Sequence, residues 1–319
     1  MAELTHKKTE LKGVLILIIT AFIWGTAFVA QSEGMEDIEA FTFSGIRMLM
    51  GAAVLVPFVI FRERKAVSNL SADGKIVRKK NNVRTVKNGF FLGVVLCIAT
   101  NFQQFAFNYS ASGKIAFITA LYMFFVPLLG LVLKKKVSAL TWVCTVLGVI
   151  GLFFLCVNPN DFISVNLGDV LSLACAFFFA VHILFVERIS DSSDGLTLSC
   201  VQFTVAGIIS CVLMLIFENP EAGSIKSAML PLFYSGVMSC GIAYTLQIVG
   251  QKYTQATVAS LIMCSESVFA VLAAAIILNE IPTPLEIFGC VTMFTAILLS
   301  QSGELITKKL KQKSNKKRG

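Results

Sequence analysis

Residues 13–30 read GVLILIITAFIWGTAFVA, an almost unbroken apolar stretch. A helix needs about 20 such residues to cross the hydrocarbon core of a bilayer. Nine more stretches of this kind follow, and together the ten occupy most of the chain. None alternates polar and apolar residues with period two, which argues against a β-barrel. The ten predicted spans are residues 13–30, 40–61, 89–108, 114–133, 139–157, 168–186, 196–217, 228–250, 257–278 and 284–301.

The composition supports a membrane protein. Of the 319 residues, 56% are hydrophobic and only 14% are charged, and the mean hydropathy is +0.78, whereas an average soluble domain is about 25% charged. Soluble, disordered and fibrous classes are therefore disfavoured. The nine cysteines lie in apolar stretches without a CxxC motif, and the chain has two histidines. This pattern indicates small apolar fillers rather than a metal site, so we predict no metal and no cofactor.

The positive charges predict the orientation. If the N-terminus lies in the cytoplasm and the chain crosses ten times, 24 of the 27 Lys and Arg residues fall on the cytoplasmic side and two on the other. Such a bias predicts a multi-pass protein of the plasma membrane with both termini cytoplasmic. The basic segment 62–88 and the tail 306–319 could bind nucleic acid, but anionic lipid explains them, and no nucleic acid partner is predicted. The composition of the segment 62–88 indicates a flexible cytoplasmic loop.

The chain also contains an internal repeat. A shift of 155 residues aligns Gly13 with Gly168, and a shift of 143 aligns Gly93 with Gly236. The predicted units are residues 1–157 and 158–305, each with five spans. Because five is odd, the second unit is inverted relative to the first, as in many secondary transporters.

Four motifs then resemble a known family. They are AFIWGTAFV at 21–29, AFTFSGIR at 40–47, the stretch 113–130 ending in VPLLG, and ESVFA at 266–270 followed by NE at 279–280. In this order they resemble the EamA family of the drug/metabolite transporter superfamily. The chain departs from the family pattern at Ala40 and Ser267, where proline is common. The resemblance implies a ten-helix carrier that moves small metabolites by alternating access.

Ionisable residues within the spans are the first candidate site residues, because their burial in a bilayer is costly. Glu266 is interpreted either as a proton or cation site or as a structural carboxyl. Arg47 could bind an anionic substrate, pair with Glu266, or extend its side chain to the headgroups. His182 could carry a proton or be simply hydrogen-bonded. Asp169 is expected at the N-terminus of its helix.

Two polar stripes predict a central cavity. At 100° per residue, Asn101, Gln104 and Asn108 lie on one face of the third span, and the shift of 143 aligns them with three polar residues of the eighth. We predict that both stripes line one cavity, although hydrogen bonding between helices is the alternative. Gln103 is expected to point away. The aligned residues are Tyr244, Gln247 and Gln251.

Three further residues are assigned from their chemistry. Trp24 and Tyr122 could stack on a substrate or pack between helices. Pro127 removes a backbone hydrogen bond and should kink the fourth span, which makes it a candidate hinge. The residue between Glu266 and Val268 is serine rather than proline, so the ninth span is expected to be straighter than is usual in the family.

These observations predict a secondary transporter rather than an enzyme, since no Walker loop, HExxH or GxSxG motif occurs. The expected partners are the lipid bilayer and a small polar substrate, plausible candidates being amino acids or related compounds, with export favoured and protons as a candidate coupling ion. A nucleotide-sugar or phosphate-ester exchanger is the first alternative, and a membrane enzyme or scaffold is the second. The oligomeric state stays open.

Overall fold

The computed structural model describes residues 2–68, 70–110, 112–135, 137–156, 165–277 and 282–316. Within these ranges every regular element is helical and no strand occurs. A 3₁₀ turn at Ser190–Ser192 follows α7, and a π-helix at Tyr234–Tyr244 separates α10 from α11. The helices are α1 (Ala2–Asp37), α2 (Ala40–Ser68), α3 (Ala72–Ala106), α4 (Ser112–Ala120), α5 (Tyr122–Val132), α6 (Ala139–Cys156), α7 (Leu167–Ile189), α8 (Gly195–Phe217), α9 (Ala222–Ser227), α10 (Met229–Phe233), α11 (Thr245–Gln251), α12 (Ala256–Met263), α13 (Glu266–Ile277) and α14 (Pro284–Lys316).

Several of these helices, alone or joined end to end, form segments that could cross a membrane. Two shorter apolar helices, Ala139–Leu155 and Pro284–Ser300, coincide with the fifth and tenth predicted spans. They pack closely on each other, since a Cβ added to Gly289 would lie 2.7 Å from the carbonyl oxygen of Gly151. Eight helices in the described ranges are long and apolar enough to cross a membrane: Leu11–Asp37, Ala40–Ser68, Asp73–Ala106, Gly113–Val132, Leu167–Ser192, Gly195–Phe217, Met229–Gln251 and Ala256–Ala273. The chain is thus an all-helical membrane protein.

The segment 62–88 corrects one expectation. Instead of a flexible loop, α2 continues to Ser68 and α3 begins at Ala72, so the basic stretch forms two long helical extensions. Ser71 caps α3 by accepting a hydrogen bond from the Gly74 amide. Glu63 accepts hydrogen bonds from Arg78 and Asn82, which joins the extensions. The lysines and arginines of this segment favour helix more than its Ser, Asn and Gly residues oppose it.

Two spans are interrupted where the sequence predicted otherwise. The fourth is broken at Leu121, between α4 and α5, six residues before Pro127, which lies inside α5. The ninth is broken between Met263 and Glu266, where serine in place of proline had predicted a helix straighter than is usual in the family. Leu121 precedes Cys264 by 143 residues, the same shift that aligns the two units. Proline is therefore not what breaks these helices, since the breaks occur with and without it.

Glycines allow the central helices to approach closely. A Cβ added to Gly93 of α3 would lie 2.7 Å from the Cβ of Val205 in α8. A Cβ added to Gly236 of the π-helix would lie 2.8 Å from the Cβ of Met50 in α2. The two contacts correspond under the shifts of the predicted repeat, because 143 residues separate the glycines and 155 separate their partners. Any larger side chain at either position would force the helices apart.

Carboxylates and amides fix several helix ends. Asn166 and Asp169 form a capping box at the start of α7, which places Asp169 at the helix N-terminus as expected. Asp194 accepts a hydrogen bond from the Thr197 amide at the start of α8. Glu218, at the end of α8, accepts from the amides of Phe41 and Thr42 at the start of α2. These bonds satisfy amide groups that have no partner within their own helix.

Candidate functional site

A cavity lies where the central helices meet. Counted as all space between the atoms, including the part that opens to solvent, it measures about 510 Å³. Helices from both predicted units contribute to it. Its described lining residues are Trp24, Phe28, Gln31, Arg47, Gln103, Thr119, Tyr122, Phe179, Ile183, Ser239, Tyr244, Gln247 and Glu266.

The cavity contains one basic and one acidic side chain. Arg47 is 3% exposed, which excludes extension toward the headgroups, and its Nη1 donates a hydrogen bond to Gln31 Oε1 at 2.5 Å. Its guanidinium also lies 5.3 Å from the centre of the Phe43 ring. Glu266 is 5% exposed and accepts a hydrogen bond from Tyr122 Oη at 3.4 Å. In the described residues the two form no direct ion pair, so both can face a bound molecule.

The two interrupted spans bring Glu266 to this position. Glu266 is the first residue of α13, directly after the break, and Tyr122 is the first residue of α5. Cys264 Sγ lies 3.4 Å from the carbonyl oxygen of Ala120, so the two breaks contact each other. Gly25 of α1 packs against the backbone at Glu266 and leaves no room for a Cβ. Backbone interruptions at membrane depth are tolerated where they line a cavity or are buried in protein.

Aromatic rings form much of the remaining surface. Trp24 packs edge-on against Tyr244, with ring centres 4.7 Å apart, and Tyr122 packs against Phe179 at 6.4 Å. Trp24 Nε1, Arg47 Nε and Gln247 Oε1 are buried without a hydrogen-bond partner in the described part of the chain. Buried polar atoms normally have partners. Unpaired polar atoms among aromatic rings favour a ligand that is partly polar and partly apolar.

The structure divides the predicted polar stripes. Tyr244 and Gln247 line the cavity, whereas Gln251 donates a hydrogen bond to the carbonyl oxygen of Ile183. On α3, the cavity is lined by Gln103, which was expected to point away, and not by the predicted stripe. Periodicity identifies the buried face of a helix, but it does not say which part of a wide buried face borders the cavity.

The members of the α3 stripe lie in three different surroundings. Asn101 donates hydrogen bonds of 2.8 Å to Ser210 Oγ and to the carbonyl oxygen of Cys97. Gln104 is fully buried outside the cavity lining. Asn108 is exposed and follows the end of α3. Asn101 therefore fits the alternative interpretation of the stripe, in which its residues form hydrogen bonds between helices instead of lining a cavity.

Two other candidates lie beside the cavity rather than on its surface. His182 is fully buried, and its Nε2 lies 3.0 Å from Gln202 Oε1. Pro127 is buried within α5, one and a half turns from the break. Gln31, whose amide oxygen binds Arg47, was missed by the sequence analysis. It was missed because it lies near the end of the first apolar stretch, where a polar residue attracts no notice. The pair at 279–280 lies outside the described residues.

A bundle of apolar helices around a partly polar cavity is typical of membrane transport proteins. The comparisons make the assignment specific. The profile of the EamA-like transporter family matches this chain twice, at residues 11–157 and 166–301. The chain therefore belongs to the EamA-like transporter family and is a membrane transporter, as the resemblance implied.

Similar proteins agree with this assignment. An uncharacterized transporter of Archaeoglobus fulgidus is 25% identical over 284 residues, which cover 89% of this chain and 83% of the relative. A probable amino-acid metabolite efflux pump of Escherichia coli K12 is 23% identical over 312 residues, with 91% and 95% covered. A crystal structure described without a function superposes with a TM-score of 0.73 at 14% identity, covering 93% of this chain and 98% of that one. That likeness shows the fold alone.

Proposed function

We propose that the chain crosses the plasma membrane ten times as two inverted units, 1–157 and 158–305, with both termini and the tail 306–319 in the cytoplasm. Three observations support the proposal. The family profile matches twice. The glycine contacts and the helix breaks recur at the shifts that align the units. The 24-to-2 distribution of Lys and Arg favours the orientation.

The proposed activity is secondary active transport by alternating access, with export favoured. One cavity lined by both units can be exposed to one side of the membrane and then to the other as the units rock about it. The matching relative from Escherichia coli carries the name of an efflux pump. A driving gradient would then supply the energy, since the sequence contains no Walker loop.

The proposed substrate is an amino acid or a related zwitterion. The observation that carries this proposal is that Arg47 and Glu266 line the same cavity without pairing with each other. Arg47 would bind the carboxylate, Glu266 would bind the ammonium group, and Trp24 and Tyr244 would pack on the side chain. Among the described lining residues Arg47 is the sole Lys or Arg. A phosphate-ester substrate, which carries more negative charge, is less well matched.

The proposed coupling ion is the proton. Glu266 lines the cavity, whereas His182 lies behind it and is bonded to Gln202. A carboxyl at the binding site can exchange a proton for a substrate ammonium group, because both compete for the same oxygen atoms. We therefore assign coupling to Glu266 before His182.

The test is uptake of a labelled amino-acid pool into proteoliposomes, with and without an imposed pH gradient. Arg47→Gln and Glu266→Gln should each reduce saturable uptake by about tenfold or more, because each removes a charge-assisted bond to the substrate. Arg64→Gln and Glu33→Gln are the matched controls, since both residues are exposed and outside the cavity.

The outcomes separate the parts of the proposal. Uptake lost in the cavity variants and kept in the controls supports the site. Uptake that does not depend on the pH gradient would contradict proton coupling but would still support a carrier. If the wild-type protein transports phosphate esters but no amino acid, the proposed substrate is wrong and a phosphate ester takes its place.

A further inference from the structure

Helix α7 is joined at one end to the start of α4. Lys114 Nζ lies 2.7 Å from Asp169 Oδ2, and both side chains are buried, at 8% and 10% exposure. Asp169 Oδ1 also accepts a hydrogen bond of 3.1 Å from Ser110 Oγ, in the connection between α3 and α4. One carboxylate thus holds the start of α7 against the start of α4.

The opposite end of α7 is joined to the end of α5. Glu187 forms an ion pair with Lys135, three residues after α5 ends. Its other oxygen accepts a hydrogen bond of 2.9 Å from the amide of Ala256, the first residue of α12. This carboxylate therefore joins three helices, α5, α7 and α12, at one end of the molecule.

The break at Leu121 lies between the two ion pairs. It separates α4, whose start is held by Asp169, from α5, whose end is held through Lys135 to Glu187. On α7, Phe179 contacts Tyr122 at the cavity about halfway between its two carboxylates. Because α4 and α5 are separate helices, either can move away from α7 while the other stays in place.

We propose that the pairs Lys114–Asp169 and Lys135–Glu187 are the two gates of the cavity, both paired in this structure and opened one at a time. The proposal rests on alternating access. Opening at the Asp169 end exposes the cavity to the outside, and opening at the Glu187 end exposes it to the cytoplasm. Ion pairs suit this purpose, because separated charges regain hydration when water enters. A gate of apolar contacts would expose apolar surface each time it opened.

The proposal is tested by holding each gate shut. In Lys114→Cys/Asp169→Cys and in Lys135→Cys/Glu187→Cys, a short bifunctional methanethiosulfonate joins the two introduced thiols. Uptake into proteoliposomes should fall about tenfold or more when the reagent is added and recover when dithiothreitol removes it. The rate of the same variant before treatment is its baseline.

The matched control is Glu63→Cys/Arg78→Cys. This pair is also an ion pair between two helices, but it lies in the extensions of α2 and α3 away from the cavity. Its cross-linking should leave uptake unchanged, as should treatment of the wild-type chain, whose cysteines are mostly buried where the structure describes them. Full uptake with either gate cross-linked would overturn the proposal, since a brace that never opens can be made covalent without effect.

A second measurement needs no transport. Asp169→Asn should raise amide hydrogen exchange about fivefold at the starts of both α4 and α7, and leave the Glu187 end unchanged. Glu187→Gln should do the reverse. Glu36→Gln and Asp191→Asn, which remove exposed carboxylates, should do neither. Equal increases in hydrogen exchange at both ends would overturn the proposed gates, even if the protein still transported its substrate. Selective increases in a protein that transports no amino acid would overturn the proposed substrate and leave the proposed gates in place.

Discussion

The sequence shift of 143 aligns helix α3 with the helix Met229–Gln251, yet the two border the cavity differently. Both approach a neighbouring helix through a glycine, Gly93 in one and Gly236 in the other. Beyond these glycines α3 continues as a regular α-helix, whereas its counterpart is π-helical over Tyr234–Tyr244. Gln103 of α3 lines the cavity, and so do Ser239, Tyr244 and Gln247 of the other helix.

The difference is an offset of one residue. The sequence shift of 143 aligns Gln104 with Gln247, but the glutamines that line the cavity are Gln103 and Gln247, which are 144 apart. A π-turn holds more residues than an α-turn, so residues that follow it point in directions that a constant 100° per residue does not give. Equal spacing in the sequence therefore does not ensure equal orientation.

The largest predicted effect concerns the close glycine contact that both helices make with a neighbouring helix. Gly93→Leu and Gly236→Leu should each destabilise the protein by about 3 kcal/mol or more, because a Cβ alone already overlaps the neighbouring helix. Thermal unfolding in detergent measures the effect. Gly223→Leu is the control, since nothing lies within 4 Å of a Cβ added there. A stable Gly236→Leu variant beside an unstable Gly93→Leu would show that the π-helix absorbs the overlap and that the shared contact is not equivalent.

The next prediction separates the aligned glutamines. Gln247→Leu should raise the KM for uptake about tenfold, because Gln247 lines the cavity and its Oε1 has no partner in the described residues. Gln104→Leu should leave KM within about twofold and keep or improve stability, because its buried amide has no partner in the described residues. Equal changes of KM in both variants would show that the one-residue offset is wrong.

A smaller effect is expected at Asn101, the member of the α3 stripe that is bonded to another helix. Asn101→Leu removes the bond to Ser210 and should lower the free energy of unfolding by about 0.6–1.7 kcal/mol. Uptake by the protein that remains folded should keep its KM. Ser210→Ala should cost a similar amount and add little when combined with Asn101→Leu. Additive losses would contradict a shared bond.

The smallest effect is expected at Asn108. Its side chain is exposed beyond the end of α3, so Asn108→Ala should change stability by less than about 0.5 kcal/mol. The KM for uptake should also stay the same. A raised KM in Asn108→Ala would show that this residue contacts the substrate, as the predicted polar stripe required.

The sequence predicted the helical membrane class and the family, because hydropathy and four ordered motifs depend on composition and short-range order. It also predicted that Trp24, Tyr122, Tyr244, Gln247, Arg47 and Glu266 are candidates, and the structure places these six in one cavity. It did not predict the helix breaks at Leu121 and before Glu266. No glycine or proline lies at either break, and the contact between the breaks forms only when distant spans pack together.

The remaining differences also arise from tertiary packing. Gln103 was set aside because a helical wheel treats a buried face as uniform, and only neighbouring helices decide which part borders empty space. The π-helix has no signal in the sequence of residues 234–244, which is apolar and glycine-containing like other spans. The segment 62–88 was assigned to a loop from its Ser, Asn and Gly residues, yet the long helices on both sides simply continue into it.

The extensions of α2 and α3 have a practical consequence. At 1.5 Å per residue, the 16 steps from Ala72 to Asn88 extend α3 about 24 Å beyond its apolar part. Glu63 of α2 accepts hydrogen bonds from Arg78 and Asn82 of α3, which holds the two extensions together. A membrane protein of 34.7 kDa is small for an electron microscope, and the detergent belt covers its apolar helices. A rigid soluble protein grafted between the ends of α2 and α3, with both helices continued into it, would give single-particle images a feature for alignment.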